Sequence, residues 1–386
     1  MRLACLALAL SLAACTEDPV DPPAGAVGLN DVSVLFPLPP TIDEPAQLSL
    51  ASAGKGGPLL TEARFAAIPV FADNPLPERA YDRWRIVAAR IDPCFPDLAV
   101  LVSNPAACRR QLRLVAQPLG ADVSGVTVED ASIHLLYDLA PADFDALATA
   151  WLAVGNDQTH DPRTTLGIHP VIANEGLAGP TATTLRGLVT TYAGEGTLSQ
   201  FTFVEGRGVA WEFGGMRVDG AGQNALPIHG IEDASGQVTA SDTNGVFSVS
   251  PASAEARAMD PLAGEVSGGG IGGGTVTLTA SADAITAALR TTLTIDDPTT
   301  LNADTVDCAA CHLATRARER ARTLGASSDG LPRFAIDGFD LSLGDLGSAA
   351  ASPQQQRAFG YNGRVAMWNQ RVINESAAVA DVLANR

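Results

Sequence analysis

The sequence predicts an α+β protein, with an N-terminal β-rich domain carrying a few helices and then a small, mainly α-helical domain. Three observations predict it. Short runs of strand character bounded by Pro or Gly recur from about Asn30 to Pro251, with only two segments of helical periodicity among them. Six glycines stand in the eight residues Ser267–Gly274, which reads as a flexible link. Beyond that link, apolar residues recur at helical spacing. A chain of 386 residues exceeds what one hydrophobic core usually organises, so two domains are the default. The 46% hydrophobic content and mean hydropathy of +0.13 supply those cores and argue against disorder.

Residues 1–15 read as a processing signal. Arg2 gives a positive start, and Leu3 to Leu12 form an apolar run too short to span a bilayer. The closing Leu12-Ala13-Ala14-Cys15 resembles the lipobox of bacterial lipoproteins. That resemblance implies export, cleavage before Cys15, acylation of Cys15 and, from Thr16, sorting to the outer membrane. An ordinary cleaved signal peptide is the alternative. Residues 16–29 are acidic and Pro-rich, a tether between lipid and folded chain. No further run reaches spanning length, so membrane contact is expected through the lipid anchor only. A formal net charge of −18 repels phosphates and anionic headgroups, so no nucleic acid is expected as a partner.

Residues 30–266 form the predicted α+β domain. Strands are expected at 31–36, 84–88, 111–116, 131–137, 199–204, 209–213 and 245–250. Helices are expected after Pro141, where Phe144, Leu147, Ala148, Trp151 and Leu152 recur, and after Pro180, where Leu185, Leu188, Val189 and Tyr192 do. Cys94 and Cys108 are an even pair in an exported chain and are expected to form a disulfide. His134 lies in an apolar strand pattern and reads as a packed, hydrogen-bonded core histidine rather than a ligand. His160 and His169, with Asp157 or Asp161, match no metal-ligand spacing, and His229 sits in a turn. No G-x-S-x-G elbow and no phosphate or nucleotide motif occurs, so hydrolase and nucleotide chemistry have no anchor.

Residues 267–274 link this domain to residues 275–386. A strand at 275–279 completes the first sheet in this reading, and Asp283 caps a helix bearing Ile285, Ala288, Leu289 and Thr292. Then comes Cys308-Ala-Ala-Cys311-His312. This C-x-x-C-H spacing suits attachment of a c-type haem: two thiols form thioethers to the porphyrin vinyl groups, and the adjacent histidine ligates iron. Half a zinc site and a plain thiol pair are the alternatives; zinc wants a second ligand pair, and no Cys or His follows His312.

With that motif, residues 275–386 resemble a class I-like c-type cytochrome, in the order helix, C-x-x-C-H, helix, loops, methionine, final helix. The resemblance implies one covalent haem c, with His312 as proximal ligand and Met367 as distal ligand. Family members often carry Pro beside that methionine, whereas this chain has Ala366-Met367-Trp368. Arg364 and Arg371 flank Met367 and are candidates for the haem propionates, with Trp368 and Tyr361 as further donors. Leu313, Phe334, Ile336, Phe339, Leu341, Leu343, Leu346 and Phe359, with Tyr361, are candidates to line the haem. If Met367 does not ligate, His229 or His169 are the donors to consider. The reading is an exported, lipid-anchored, single-haem electron carrier working with an unidentified redox partner protein. Two alternatives stay open: an oxidoreductase acting on a substrate held by the first domain, and a surface binding lipoprotein with a subsidiary haem domain.

Overall fold

The computed structural model describes residues 27–73, 75–156, 164–241, 247–263, 265–267, 275–277, 280–343 and 356–385. The lipobox with Cys15, most of the tether, most of the glycine-rich link, Asp157, His160, Asp161 and Leu346 lie outside the described residues. Among the described residues no helix is long and apolar enough to cross a membrane.

The fold is α+β, built on a large antiparallel sheet. Its strands are β1 (Ser33–Leu35), β2 (Trp84–Phe95), β3 (Arg109–Asp122), β4 (Gly125–Val128), β5 (Ala131–Leu139), β6 (Leu198–Arg207), β7 (Ala210–Asp219), β8 (Gly222–Ala225), β9 (Gly236–Ser241) and β10 (Phe247–Ser250). They run β1-β2-β3-β5-β6-β7-β9-β10, with β4 on β3 and β8 on β7. Strand alternation gives the sheet two unlike faces. One carries Leu112, Leu114, Ile133, Leu135, Tyr137 and Phe201 into the main core. Helices α1 (Pro141–Asn156) and α2 (Pro180–Tyr192) cover it through Phe144, Leu147, Trp151, Leu185 and Val189. Both start at the prolines that the sequence marks, where a missing N–H costs nothing.

The opposite face is polar in phase, and the C-terminal third covers it. Helices α3 (Ala282–Asp296) and α4 (Cys308–Thr323) pack through Ile285, Leu289, Leu293, Leu313, Ala314 and Ala317. A hairpin of Phe359–Asn362 and Val365–Trp368 follows, and then α5 (Gln370–Ala384). Val379, Ala380 and Leu383 of α5 enter the main core, and Ser376 bonds Ser33 through their hydroxyls at 2.7 Å. The hairpin is bound to β3, where Gln117 accepts from the Tyr361 N–H at 2.7 Å and donates to its carbonyl at 3.0 Å. Gly360 permits that approach: it sits at φ +144°, and a Cβ there would stand 2.3 Å from the Gln117 side-chain oxygen.

The link expected at 267–274 therefore does not separate independent cores. Leu29, Leu35 and Val87 share one apolar cluster with Phe359, Trp368 and Ile373. The amphipathic α5 buries its stripe against the sheet, the Leu29–Val32 turn of helix, α3 and α4 together. The strand expected at 275–279 is likewise not part of the large sheet, because Thr275–Thr277 pairs with Glu265–Ser267 in a separate ribbon. Ser281, not Asp283, caps α3, its hydroxyl accepting from the Ala284 N–H at 3.2 Å.

The Cys94–Cys108 disulfide is formed, joining the end of β2 to the start of β3 across a separation of 14 residues. Closing a loop of that size restricts the unfolded chain and contributes about 3 kcal/mol. The double substitution Cys94→Ala, Cys108→Ala is expected to lower the unfolding free energy by about that amount in urea titration. An unchanged midpoint would show the bridge to be stabilisation-neutral.

Candidate functional site

The motif lies on the first turns of α4. Asp307 is the cap, its carboxylate accepting from the Ala310 N–H at 2.9 Å and bonding the Ser253 hydroxyl with its other oxygen. Because the helix starts at Cys308, the two thiols and the imidazole stand at i, i+3 and i+4 on one side of it. The sheet holds this helix end directly, as the Gln237 side chain of β9 accepts from the Ala309 N–H at 3.0 Å. Two residues along, Thr239 bonds the Gln356 side chain, which also donates to Ser241 at 3.3 Å. The carbonyl of Gln356 in turn bonds Nδ1 of His312. A fixed Nδ1 sets the ring's orientation and leaves Nε2 as the nitrogen able to ligate. Nε2 has no hydrogen-bond partner among the described residues.

Cys308 and Cys311 are both free. Burial, reinforced by Asp307, pushes the Cys308 thiol up to about 12; burial does the same to Cys311. Both are therefore protonated at neutral pH, the opposite of the lowered thiol that a redox-active C-x-x-C pair requires. His312 is pulled below its ordinary value, chiefly by burial, and is a neutral imidazole.

All three side chains open onto a cavity of about 450 Å³ between α4 and the polar face of the sheet. That volume lies within the range of small-molecule and cofactor sites. The sheet face beneath α4 is ordered in three cross-strand rows. Val204 and Phe213, opposite each other on β6 and β7, form the first row, which lies under the motif and outside the cavity wall; Cys308 packs against the cluster they make with Trp211, and the Phe213 ring centroid lies 4.9 Å from that of His312. Val115, His134, Thr202 and Gly215 form the second. Arg113, Leu136, Gln200 and Arg217 form the third. At the third row Arg90, Arg113 and Arg371 interlock with Asp92 and Glu375. Glu375 receives Arg90 at 2.6 Å and Arg371 at 2.7 Å, and Asp92 receives Arg113 at 2.7 Å and Arg90 at 3.2 Å. Three guanidinium groups share two carboxylates there, and Arg217 makes no ion pair among the described residues.

Of the residues read from sequence, Cys308, Cys311, His312, Arg371 and Phe359 line the cavity. Met367 is buried in the hairpin but does not line it; the wall runs through Ala358, Phe359 and Asn369 and stops short of Met367. Arg364 pairs with Asp122 at the hairpin tip. Tyr361 donates to the Phe36 carbonyl at 2.6 Å, and Trp368 joins the same apolar cluster as Tyr361. Leu313 packs against α3, while Phe334, Ile336, Phe339, Leu341 and Leu343 pack at the β1 side. His169 is buried as the cap of a short helix, accepting from the Ile172 N–H at 3.4 Å, and lies outside the cavity wall. His229 lines the rim and is exposed.

His134, Arg90, Arg113, Arg217 and Glu375 belong to the site without having been read as members of it. One signal was present. Arg113 and His134 occupy the same phase in adjacent strand candidates, each between apolar residues, which marks a sheet face that is polar and yet covered. Among the described residues no three Cys, His, Asp or Glu side chains converge as a metal-binding group. Zinc takes three or four such donors from protein, whereas haem iron takes only one or two, since the porphyrin supplies the rest. The thiols, the imidazole, the volume and the arginines at the far row fit a haem. No known protein family, curated protein or solved structure matches this chain.

Proposed function

We propose that the chain is an exported, lipid-anchored c-type cytochrome carrying one covalent haem and passing electrons one at a time. The observation that carries this reading is the shared wall: two free thiols and an imidazole with its Nδ1 already tied down face one cavity of about 450 Å³. Cys308 and Cys311 would hold the porphyrin through thioethers and His312 would ligate its iron. When bound, the haem supplies the ferrous–ferric couple, and the protein supplies ligation, a low-dielectric surround and charge. The apolar first row covers the thioether side, and the arginine-rich third row suits the anionic propionates, with Arg217 and the surplus cation of the Arg90–Arg113–Arg371 group as their partners.

Two further observations support the reading over its rivals. The cavity adjoining the motif, about 450 Å³, is larger than one of about 290 Å³ lined by Phe65, Phe71 and Leu76, which supports a cofactor site at the motif over a remote ligand groove there. The Cys94–Cys108 disulfide suits an oxidising compartment, the side of the membrane to which a lipobox would deliver the chain and where c-type haem is attached.

Production in a bacterial host with c-type maturation machinery tests this. The purified protein is expected to be red, to keep its colour after denaturation and acid–organic extraction, to gain the mass of one haem, and to cycle reversibly between two spectra on stepwise reduction. A colourless chain of unmodified mass from that host would sink the proposal.

A further inference from the structure

The identity of the iron's second protein ligand can be argued from the floor of the cavity. Of the five histidines, His312 is committed to the motif, His160 lies outside the described residues, His169 caps a helix and His229 stands exposed on the rim. His134 is different. It rises from β5 in the middle of the sheet and lines the same cavity as His312. Its imidazole makes no hydrogen bond among the described residues. His134 is half-buried, its ring opening onto the cavity, so a ligand held there could complete its coordination.

The rows give the reason for its position. A porphyrin carries its vinyl groups and its propionates on different parts of its edge, with iron at the centre. Cys308 packs on the cluster that contains the first-row residues Val204 and Phe213, and Arg113 and Arg217 belong to the third row, level with Gln200. Along β6 these rows are four residues apart, about 14 Å at the rise of a strand. His134 lies on the row between them. Its flanking partners are Val115, Thr202 and Gly215, all short, so the imidazole stands above the surrounding floor. Met367, the ligand implied by resemblance, does not reach this wall.

We propose, resting on the haem reading above, that His134 is the second axial ligand of the iron. The sheet and the motif helix would then each supply one imidazole, and the sheet would be half of the haem site rather than a neighbouring domain. The shared cores on the two sides of the expected link fit that arrangement, since relative motion of sheet and helix would break the coordination.

The test compares wild-type, His134→Ala, Met367→Ala and His229→Ala holoproteins from a maturation-competent host. Covalent haem content is measured first, by pyridine haemochrome on denatured protein. If no variant and no wild-type sample carries haem, the haem reading itself fails. With haem present, ferric wild type is expected to be low-spin by electron paramagnetic resonance, with bis-imidazole signals and without the long-wavelength band of sulfur ligation. His134→Ala should keep its full covalent haem and its circular dichroism but lose the low-spin signal, and added imidazole should restore it. Met367→Ala and His229→Ala should match wild type. Loss of the low-spin signal in Met367→Ala or His229→Ala instead, or its persistence in His134→Ala, overturns the assignment while leaving covalent haem intact.

Discussion

The double substitution Cys308→Ser, Cys311→Ser is expected to abolish covalent haem, so that acid–organic extraction of the purified chain removes all colour. On the haem reading each cysteine would contribute one thioether, so either single substitution should leave one bond and a lower yield of pigment, with the remaining haem still resistant to extraction. His312→Ala should behave differently from both, because it would keep the thioethers and remove the proposed iron ligand. The double variant should also unfold earlier. On the haem reading a porphyrin would close a cavity whose wall includes Leu114, Val115, Leu136 and Phe359, and apolar cover is worth about 25 cal/mol per Å². Covering both faces of the ring is therefore worth on the order of 5 kcal/mol, or roughly 10 °C in midpoint for a chain of this size. Differential scanning calorimetry of wild-type holoprotein against the double variant measures it. Equal midpoints would mean that the cavity collapses without cost and that haem does not belong to the folded core.

Much of the fold was legible because its determinants are local. The prolines at 141 and 180 start helices whose apolar spacing is unambiguous, and the long strands around Leu112, Ile133 and Phe201 alternate cleanly. Strand β9 was not legible, since Gly236–Ser241 is mostly polar. It is buried nonetheless, because Gln237, Thr239 and Ser241 turn inward to hold the start of α4 and Gln356. Local propensity cannot register a polar strand whose partners lie some 70 to 120 residues downstream. The same limit explains the site. C-x-x-C-H carries its chemistry in its spacing, so Cys308, Cys311 and His312 were readable at once. His134 and the arginines acquire meaning only when β2, β3, β5, β6 and β7 align into rows, and the rows are set by strand register. Met367 sits at the chain position that a cytochrome c would use, yet the hairpin that carries it is tied to Gln117 and Phe36 rather than to the cavity.

The largest effect expected away from the motif is at Glu375. Burial by itself would push this carboxyl up, but Arg90, Arg371 and Arg113, in that order, outweigh burial and hold it far below the ordinary glutamate value of 4.5. Glu375 is the junction between α5 and the sheet: Arg90 reaches it from β2, while Arg371 reaches it from one turn back on α5 and also donates to the Ile295 carbonyl at 2.8 Å. Glu375→Gln keeps the shape and removes the charge, leaving Arg90 with Asp92 alone and Arg371 without its ion-pair partner. Breaking a buried ion pair from one side costs about 3 kcal/mol or more, far above the value of an exposed pair. The sign of the pH dependence follows from the depressed carboxyl. The folded state holds fewer protons at Glu375 than the unfolded state does, so its contribution is fully present above about pH 4.5 and is lost as pH falls toward the depressed folded value. Urea midpoints of wild type and Glu375→Gln should therefore differ most at pH 7 and draw progressively closer as pH falls below about 4.5. A gap that stays constant, or widens in acid, would mean that Glu375 acts through shape and hydrogen bonding and not through its charge.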